Sequence, residues 1–349
     1  MTINKYFCGS LYLIYRSLLS TKNKFAKNIE SSIANINFKR KPIKNCDDLY
    51  LHLKNEVTKA TLDGKAALML SGGIDSAILA NFMPPNSQTY TFQCIVPNKQ
   101  VTDETGGAKF NAKRNNLKNN VINIYWDDFE NFAPKLMKQK GAPIHSIEVQ
   151  IYKAALEAKK NGFTKAIFGE NADIIYGGMD GLLAKDWLLS EFIERYAYIM
   201  PYKVLKNPFI PIKPFLKYEK KGHIDAHKFI NEYFRLEALG TYQNACKLAG
   251  IEFVGPFSTS YMDTSVDFDR IRSGDTKYLV REVYRKIYGC EKLPPKIPMP
   301  RPMNEWFSNW QGPTRKEFWA NCTDKMTGDQ KWMVYCLEKF YDLMEHWDD

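Results

Sequence analysis

The sequence predicts an α/β fold: a doubly wound parallel sheet followed by a mostly helical C-terminal part. Three observations predict it. Ala67-Leu68-Met69-Leu70 is a short apolar run, of the kind that forms a strand buried on both faces, and it leads straight into Ser71-Gly72-Gly73-Ile74-Asp75-Ser76 and an apolar helix. Strand and helix patterns then alternate as far as Ala166-Ile167-Phe168, as they do in parallel sheets. From about Leu182 onward helical segments predominate and no clear strand is visible.

Taken in order, the chain begins with a segment of different character. Tyr6 to Leu19 is apolar and aromatic and reads as a helix, and a stretch rich in Lys, Asn and Ser follows as far as Pro42. Residues 1–45 therefore read as an extension and residues 46–349 as the main body, helical from about 182. The apolar part of the extension either docks on the main body or makes a contact between identical copies in a homo-oligomer. Asn45 to Leu62 reads as a helix that Asn45 or Asp47 caps, with Leu49, Leu51, Leu53, Val57 and Leu62 as its apolar positions. Thr89 to Val96 reads as a second strand, Ala108 to Lys118 as a helix, Val121 to Trp126 as a third strand, and Ala133 to Gln139 and Gln150 to Lys160 as helices. Beyond Leu182 the helical candidates are Trp187 to Tyr198, His227 to Leu239, Lys277 to Ile287 and Gln330 to Trp347. Leu293 to Gly312, rich in Pro and Trp, reads as an irregular cover.

Composition sets limits. The 349 residues, 44% apolar and 14% aromatic, suffice for one large domain or two ordinary ones. No run approaches the ~20 apolar residues that a bilayer-spanning helix needs, so no membrane span is expected. The seven cysteines are scattered and include no CxxC, which points to reduced thiols in a cytoplasmic setting and not to a disulfide framework or a zinc site. Of the net charge of +10, residues 1–60 carry +7, from eleven Lys/Arg against four Asp/Glu. Such an arm either attracts anionic partners or is simply a solvated basic face.

The chemistry concentrates in two glycine turns. Gly72 and Gly73 let the backbone approach a ligand closely. The helix that follows turns its free N–H groups and positive dipole end toward them, which makes an anion cradle, and Ser71 and Ser76 add hydroxyl donors. An aspartate inside such a cradle makes electrostatic sense if Asp75 holds a divalent cation that bridges phosphates. The spacing is neither that of the P-loop nor GxGxxG. The second turn is Gly169-Glu170-Asn171-Ala172-Asp173-Ile174-Ile175-Tyr176-Gly177-Gly178, again after a strand. Glu170 and Asp173, three apart on a nascent helix, face the same way. Both turns fall at carboxyl ends of strands, where ligands sit in a doubly wound sheet.

SGGIDS after an apolar strand resembles the pyrophosphate loop of the N-type ATP pyrophosphatases, the adenine nucleotide alpha hydrolase-like group that cleaves ATP to AMP and pyrophosphate. With GENADIIYGG it resembles the synthetase domain of the glutamine-dependent asparagine synthetases, whose second motif usually reads GEGADELFGG. Lys277-Tyr278-Leu279-Val280-Arg281-Glu282 resembles that family's KxxLRE-like helix, and Arg301-Pro302 its later Arg-Pro segment, so the resemblance runs from about Asn45 to Trp306. It implies ATP and Mg²⁺. It implies that Ser71, Gly72, Gly73, Asp75 and Ser76 hold the phosphates, with Asp75 and Asp173 reaching the metal. Met69, Leu70 and Cys94 would flank the adenine, and Gly169 would lie against the nucleotide. Glu170 and Asp173 would serve metal, pyrophosphate and the amine nucleophile, while Lys277 offsets negative charge as a carboxylate attacks the α-phosphate.

The departures bear on the substrate. Asn171 stands where the family has Gly, Ile174 where it has Glu, and Met303 where many members have Lys. Thr2 stands where glutamine-hydrolysing members have a cysteine nucleophile, few residues precede the synthetase motifs, and Cys8 lies in an apolar segment, so no glutaminase is expected within this chain. The resemblance thus implies an AMP-forming carboxylate–amine ligase that makes an amide through an acyl-adenylate. Its acid is aspartate, a sugar acid or a peptide, and its nitrogen comes from free ammonia, a separate glutaminase or an amine on the substrate. Two other readings stay open: an RNA-modifying enzyme with a related loop, which the basic arm favours, and a non-catalytic ATP-binding relative, which Ile174 favours. His145, Ser146 and Glu148 are candidates for the acid pocket.

Overall fold

Five parallel strands form the central sheet of the computed structural model, which describes residues 1–289, 293–294 and 299–348. They are β1 (Ala66–Met69), β2 (Gln88–Cys94), β3 (Lys118–Ile124), β4 (Lys165–Ile167) and β5 (Glu252–Val254). Their spatial order is β5-β4-β1-β2-β3. Cys290 and part of the Leu293–Gly312 stretch lie outside the described residues.

The principal helices are α1 (Lys5–Tyr15), α2 (Cys46–Thr61), α3 (Ile74–Phe82), α4 (Thr105–Arg114), α5 (Trp126–Lys140), α6 (Ile147–Lys160), α7 (Ala172–Ile175), α8 (Arg235–Ala249), α9 (Tyr278–Tyr288) and α10 (Gly328–Glu345). Strand residues alternate between two cores. Ala67, Met69 and Ala166 pack with α5, α6 and α8, whereas Ala66, Leu68 and Ile167 pack with α2, α3, α4 and α9. Helices on both faces make the sheet doubly wound, and burial on both faces is why β1 reads as one continuous apolar run.

The order of strands locates the ligand crevice. From β1 the chain steps outward through β2 to β3, then returns to place β4 on the other side of β1. Ala67 pairs with Ala166 and Leu68 with Thr89. The direction of winding therefore reverses between β1 and β4, and the loops leaving their carboxyl ends are the two glycine turns.

One strand breaks the sequence expectation. Glu252–Val254 pairs with Lys165–Ile167 at the sheet edge, inside the part read as having no clear strand. It is three residues long and none of them is fully buried, so it carries no readable alternation. α2 follows its capping chemistry closely: the Asn45 side chain accepts from the Asp48 N–H at 2.9 Å, and Leu49, Leu53, Val57 and Ala60 form its buried face.

The apolar N-terminal segment docks on the main body. Asn4 caps α1 by accepting from the N–H groups of Tyr6 and Phe7, and every residue from Cys8 to Tyr15 is buried. Tyr12 donates to the Ile144 carbonyl at 2.8 Å and Tyr15 to the Pro211 carbonyl at 2.7 Å, so each buried phenol is satisfied. Lys5 pairs with Glu317 at 2.7 Å, and the Tyr341 hydroxyl of α10 donates to the Lys5 carbonyl. Leu11, Leu13 and Ile14 are almost fully buried, each worth about 1.5–3 kcal/mol. Among the described residues six cysteines are free, and no helix is long and apolar enough to cross a membrane.

Candidate active site

β1 ends where the Leu70 N–H donates to the Tyr90 carbonyl at 2.8 Å. The turn that follows is tied by its own hydroxyls: Ser76 Oγ lies 2.8 Å from Ser71 Oγ, and the Gly73 N–H donates to Ser71 Oγ at 3.1 Å. Gly73 caps α3 with no side-chain hydrogen bond, so the positive end of that helix dipole faces the turn. The second turn packs directly on the first. A Cβ at Gly169 would lie 3.0 Å from the Ser76 nitrogen, so the two loops meet only because that position is glycine.

Asn171 explains one departure from the usual motif. Its φ is +71°, in the left-handed region that glycine adopts freely and asparagine best tolerates among other residues. Its Nδ2 donates to Ser258 Oγ at 2.8 Å, which fixes the residue there. Ile174 is buried in the core and Met303 is likewise buried. Neither lines the cavity described next.

A cavity of about 750 Å³ covers the carboxyl ends of β1 and β4. Met69, Leu70, Ser71, Gly73, Asp75 and Ser76 from the first turn line it, as do Gly169, Glu170 and Asp173 from the second, together with Lys277. Gly72 does not line it; its N–H donates to Glu104, which does. Cys94 does not line it. That thiol is buried in the core, with Gln150 Nε2 at 2.7 Å, and Phe92, one step back on the same strand face, lines the cavity instead.

Lys277 is the centre of the geometry. It stands at the N-terminus of α9 with φ +51°, and its ammonium lies 2.9 and 2.8 Å from the two Asp75 oxygens and 3.1 Å from Asp173 Oδ1. Burial opposes the charged form, but the Asp75 and Asp173 carboxylates outweigh it and hold the ammonium above its usual range. Gly178 makes the room: a Cβ there would lie 2.1 Å from Asp173 Oδ1 and 2.7 Å from the Lys277 stem. A backbone held at positive φ by a bulky residue is unfavourable, and here it aims a side chain between two carboxylates.

Two further acids complete the site. Burial pushes the Glu170 carboxyl up to about 7, against the lowering effect of the Tyr242 hydroxyl. Burial likewise pushes Glu104 up to about 7, although the Gly72 N–H donates to it at 3.2 Å. Glu104 comes from a polar loop and carries no motif, so nothing in the sequence marked it. Of the three residues suggested for an acid pocket, only His145 reaches the cavity. Ser146 donates to Asp329, and Glu148 is buried against Lys140 at 2.9 Å. Burial, reinforced by Arg301 and Arg16, keeps the His145 imidazole neutral, with Nδ1 accepting from the Ile147 N–H.

The oxygen donors suit Mg²⁺, which takes one or two carboxylates and fills its remaining positions with phosphate oxygens and water. Asp75 and Asp173 converge on a single cation, the Lys277 ammonium, and so fit that requirement. Among the described residues no three His, Cys, Asp or Glu side chains gather into a complete metal site.

The model of the asparagine synthase family matches residues 52–246. The chain belongs to the asparagine synthase family. Within this family member the matched span contains both glycine turns, while α1 and Lys277 lie outside it. No curated protein matches the chain. Among solved structures it is similar to an NH3-dependent NAD synthetase from Campylobacter jejuni, at 15% identity over 39% of this chain and 61% of that one, with a TM-score of 0.26. It thus spans less than two thirds of that synthetase. It is also similar to an NMN synthetase from Francisella tularensis (13% identity, 73% and 99%, TM-score 0.27) and to a U34-tRNA thiolase from Methanococcus maripaludis (12%, 86% and 81%, 0.30).

Proposed function

We propose that the chain is an ATP-dependent, AMP-forming carboxylate–amine ligase. The observation that carries this reading is the Lys277 ammonium held between Asp75 and Asp173, carboxylates from two glycine turns that share one cavity. Forming an acyl-adenylate brings a carboxylate against a polyphosphate, so fixed positive charge is needed where the two anions meet. Lys277 supplies it. Asp75 and Asp173 would hold Mg²⁺, which when bound draws charge from the pyrophosphate oxygens. The first-turn N–H groups of α3 and the Ser71 and Ser76 hydroxyls would bind the phosphates.

In this reading a carboxylate oxygen of the acid attacks the α-phosphorus, the bond from that phosphorus to the bridging oxygen breaks, and pyrophosphate leaves. An amine then attacks the acyl carbon. AMP leaves, the amide forms, and the proton lost from the amine passes to Glu170. A base near neutral pKa suits that role. The amine is free ammonia, ammonia from a separate glutaminase, or a group on the substrate.

The test is acid-dependent ATP–pyrophosphate exchange with Mg²⁺, over aspartate, uronic acids and short peptides. The reading requires exchange with at least one acid and AMP as the nucleotide product. Cleavage to ADP, or turnover indifferent to the acid, would overturn it. Glu170 has its own signature. With its carboxyl near 7, amide formation should climb about tenfold per pH unit below that point and level off above it. Glu170→Gln should remove this limb and slow amide formation by about 10²–10⁴, while exchange in the first half-reaction survives. A limb that persists in the variant would assign the base elsewhere.

A further inference from the structure

We infer that residues 202–221 dock the protein on an anionic lipid surface. Phe209, Ile210 and Leu216 enter the headgroup layer, and the lysines among them meet the lipid anions. The inference does not depend on the ligase reading.

The charge of this segment is one-sided. Lys203, Lys206, Lys213, Lys217, Lys220 and Lys221 stand against a single acid, Glu219, and there is no arginine. All six lysines are exposed. Lys217 pairs with Glu232, and the other five form no ion pair among the described residues. Large apolar side chains are interleaved with them: Tyr202, Phe209, Ile210 and Leu216 are 42–49% exposed. Trp319 joins them, with its N–H on the Val204 carbonyl at 2.9 Å and its ring 6.0 Å from the Lys206 ammonium.

These side chains are held outward by a rigid base. Val204, Leu205 and Phe215 are buried, and the Phe215 ring stacks on Phe229 at 4.7 Å. The Phe209 N–H donates to Ser10 Oγ of α1 at 3.0 Å, and Tyr15 of α1 holds the Pro211 carbonyl. The backbone suits an apolar medium, where every unmet N–H is costly. Pro208, Pro211 and Pro214 have no N–H to satisfy, Phe209 has its partner, and the Ile212 N–H donates to the Ile210 carbonyl at 2.9 Å. Apolar groups that enter the interface and lysines that reach its anions reinforce each other. A nucleic-acid surface would use arginine forks for phosphates and ring faces for bases, and Ile210 and Leu216 offer neither.

The test is co-sedimentation of the intact chain with phosphatidylcholine vesicles, with and without phosphatidylserine. The wild type should bind the phosphatidylserine vesicles at least about tenfold better, and about 1 M salt should abolish the difference. Replacing Lys213, Lys220 and Lys221 together by Gln should weaken binding by about 100-fold, at about fivefold for each charge. Ile210→Ser with Leu216→Ser should weaken it by about tenfold with an unchanged melting temperature; Phe209 stays in place because its ring meets Phe7. Equal binding to both kinds of vesicle overturns the inference, as does binding indifferent to the lysines. Binding that ignores the two serines means adsorption without insertion and overturns it too. Lysine-dependent binding of single-stranded RNA with no vesicle binding would assign the surface to nucleic acid instead. If a variant unfolds, the wild-type contrast between vesicles and its loss in salt still decide.

Discussion

Lys277→Met is expected to retain ATP and lose adenylate formation, with exchange down by about 10³-fold or more. Methionine keeps the unbranched stem that fills the gap over Gly178 and removes only the charge. Asp75 and Asp173 then face each other without the ammonium that lies about 3 Å from both. Breaking a fully buried pair costs about 3–5 kcal/mol; these carboxylates remain partly solvated, so a loss nearer 2 kcal/mol is expected. A melting curve and an ATP-binding isotherm separate that cost from the chemical one. Adenylate accumulating at the wild-type rate in this variant would remove Lys277 from the mechanism.

Asp75→Asn should act on a different variable. The amide keeps the shape and one acceptor oxygen for Lys277, and Asp173 continues to support the ammonium, so the fold should tolerate it. What is lost is a charged oxygen donor in the phosphate cradle. Pyrophosphate release at saturating Mg²⁺ should fall by about 10²–10³, and half-maximal Mg²⁺ should rise. Titrating Mg²⁺ against initial rates reads both. An unchanged Mg²⁺ requirement would mean that Asp75 only positions Lys277.

Much of this site was legible because its determinants are local. The strand, the glycine turn and the helix after it are contiguous from Ala67 to Phe82, and the second turn repeats the pattern, so short-range rules suffice. Asn171 shows a motif departure explained by backbone conformation: left-handed φ selects Gly or Asn, and only a structure reports φ. What was not legible depends on distant packing. Phe92 and Cys94 share a strand face, yet Phe92 reaches the cavity while Cys94 lies against Gln150 of α6. Glu104 enters the cradle from a loop without pattern, and β5 is too short to show one. The extension was the widest gap: its apolar and aromatic character was visible, but not that Arg16, which closes α1, lines the cavity.

The closure of α1 against α10 has a consequence for synthesis. The Tyr341 hydroxyl and the Lys5 carbonyl that it meets are 336 residues apart. At about 5–20 residues per second, a ribosome needs roughly 20–70 s to make the chain between them. Through that interval Gly9, which packs against Leu337 and Tyr341, waits for α10, whereas Tyr12 and Tyr15 can already meet Ile144 and Pro211. The contact between α1 and α10 is therefore among the last the chain can make, after the sheet and the helices on both its faces are complete.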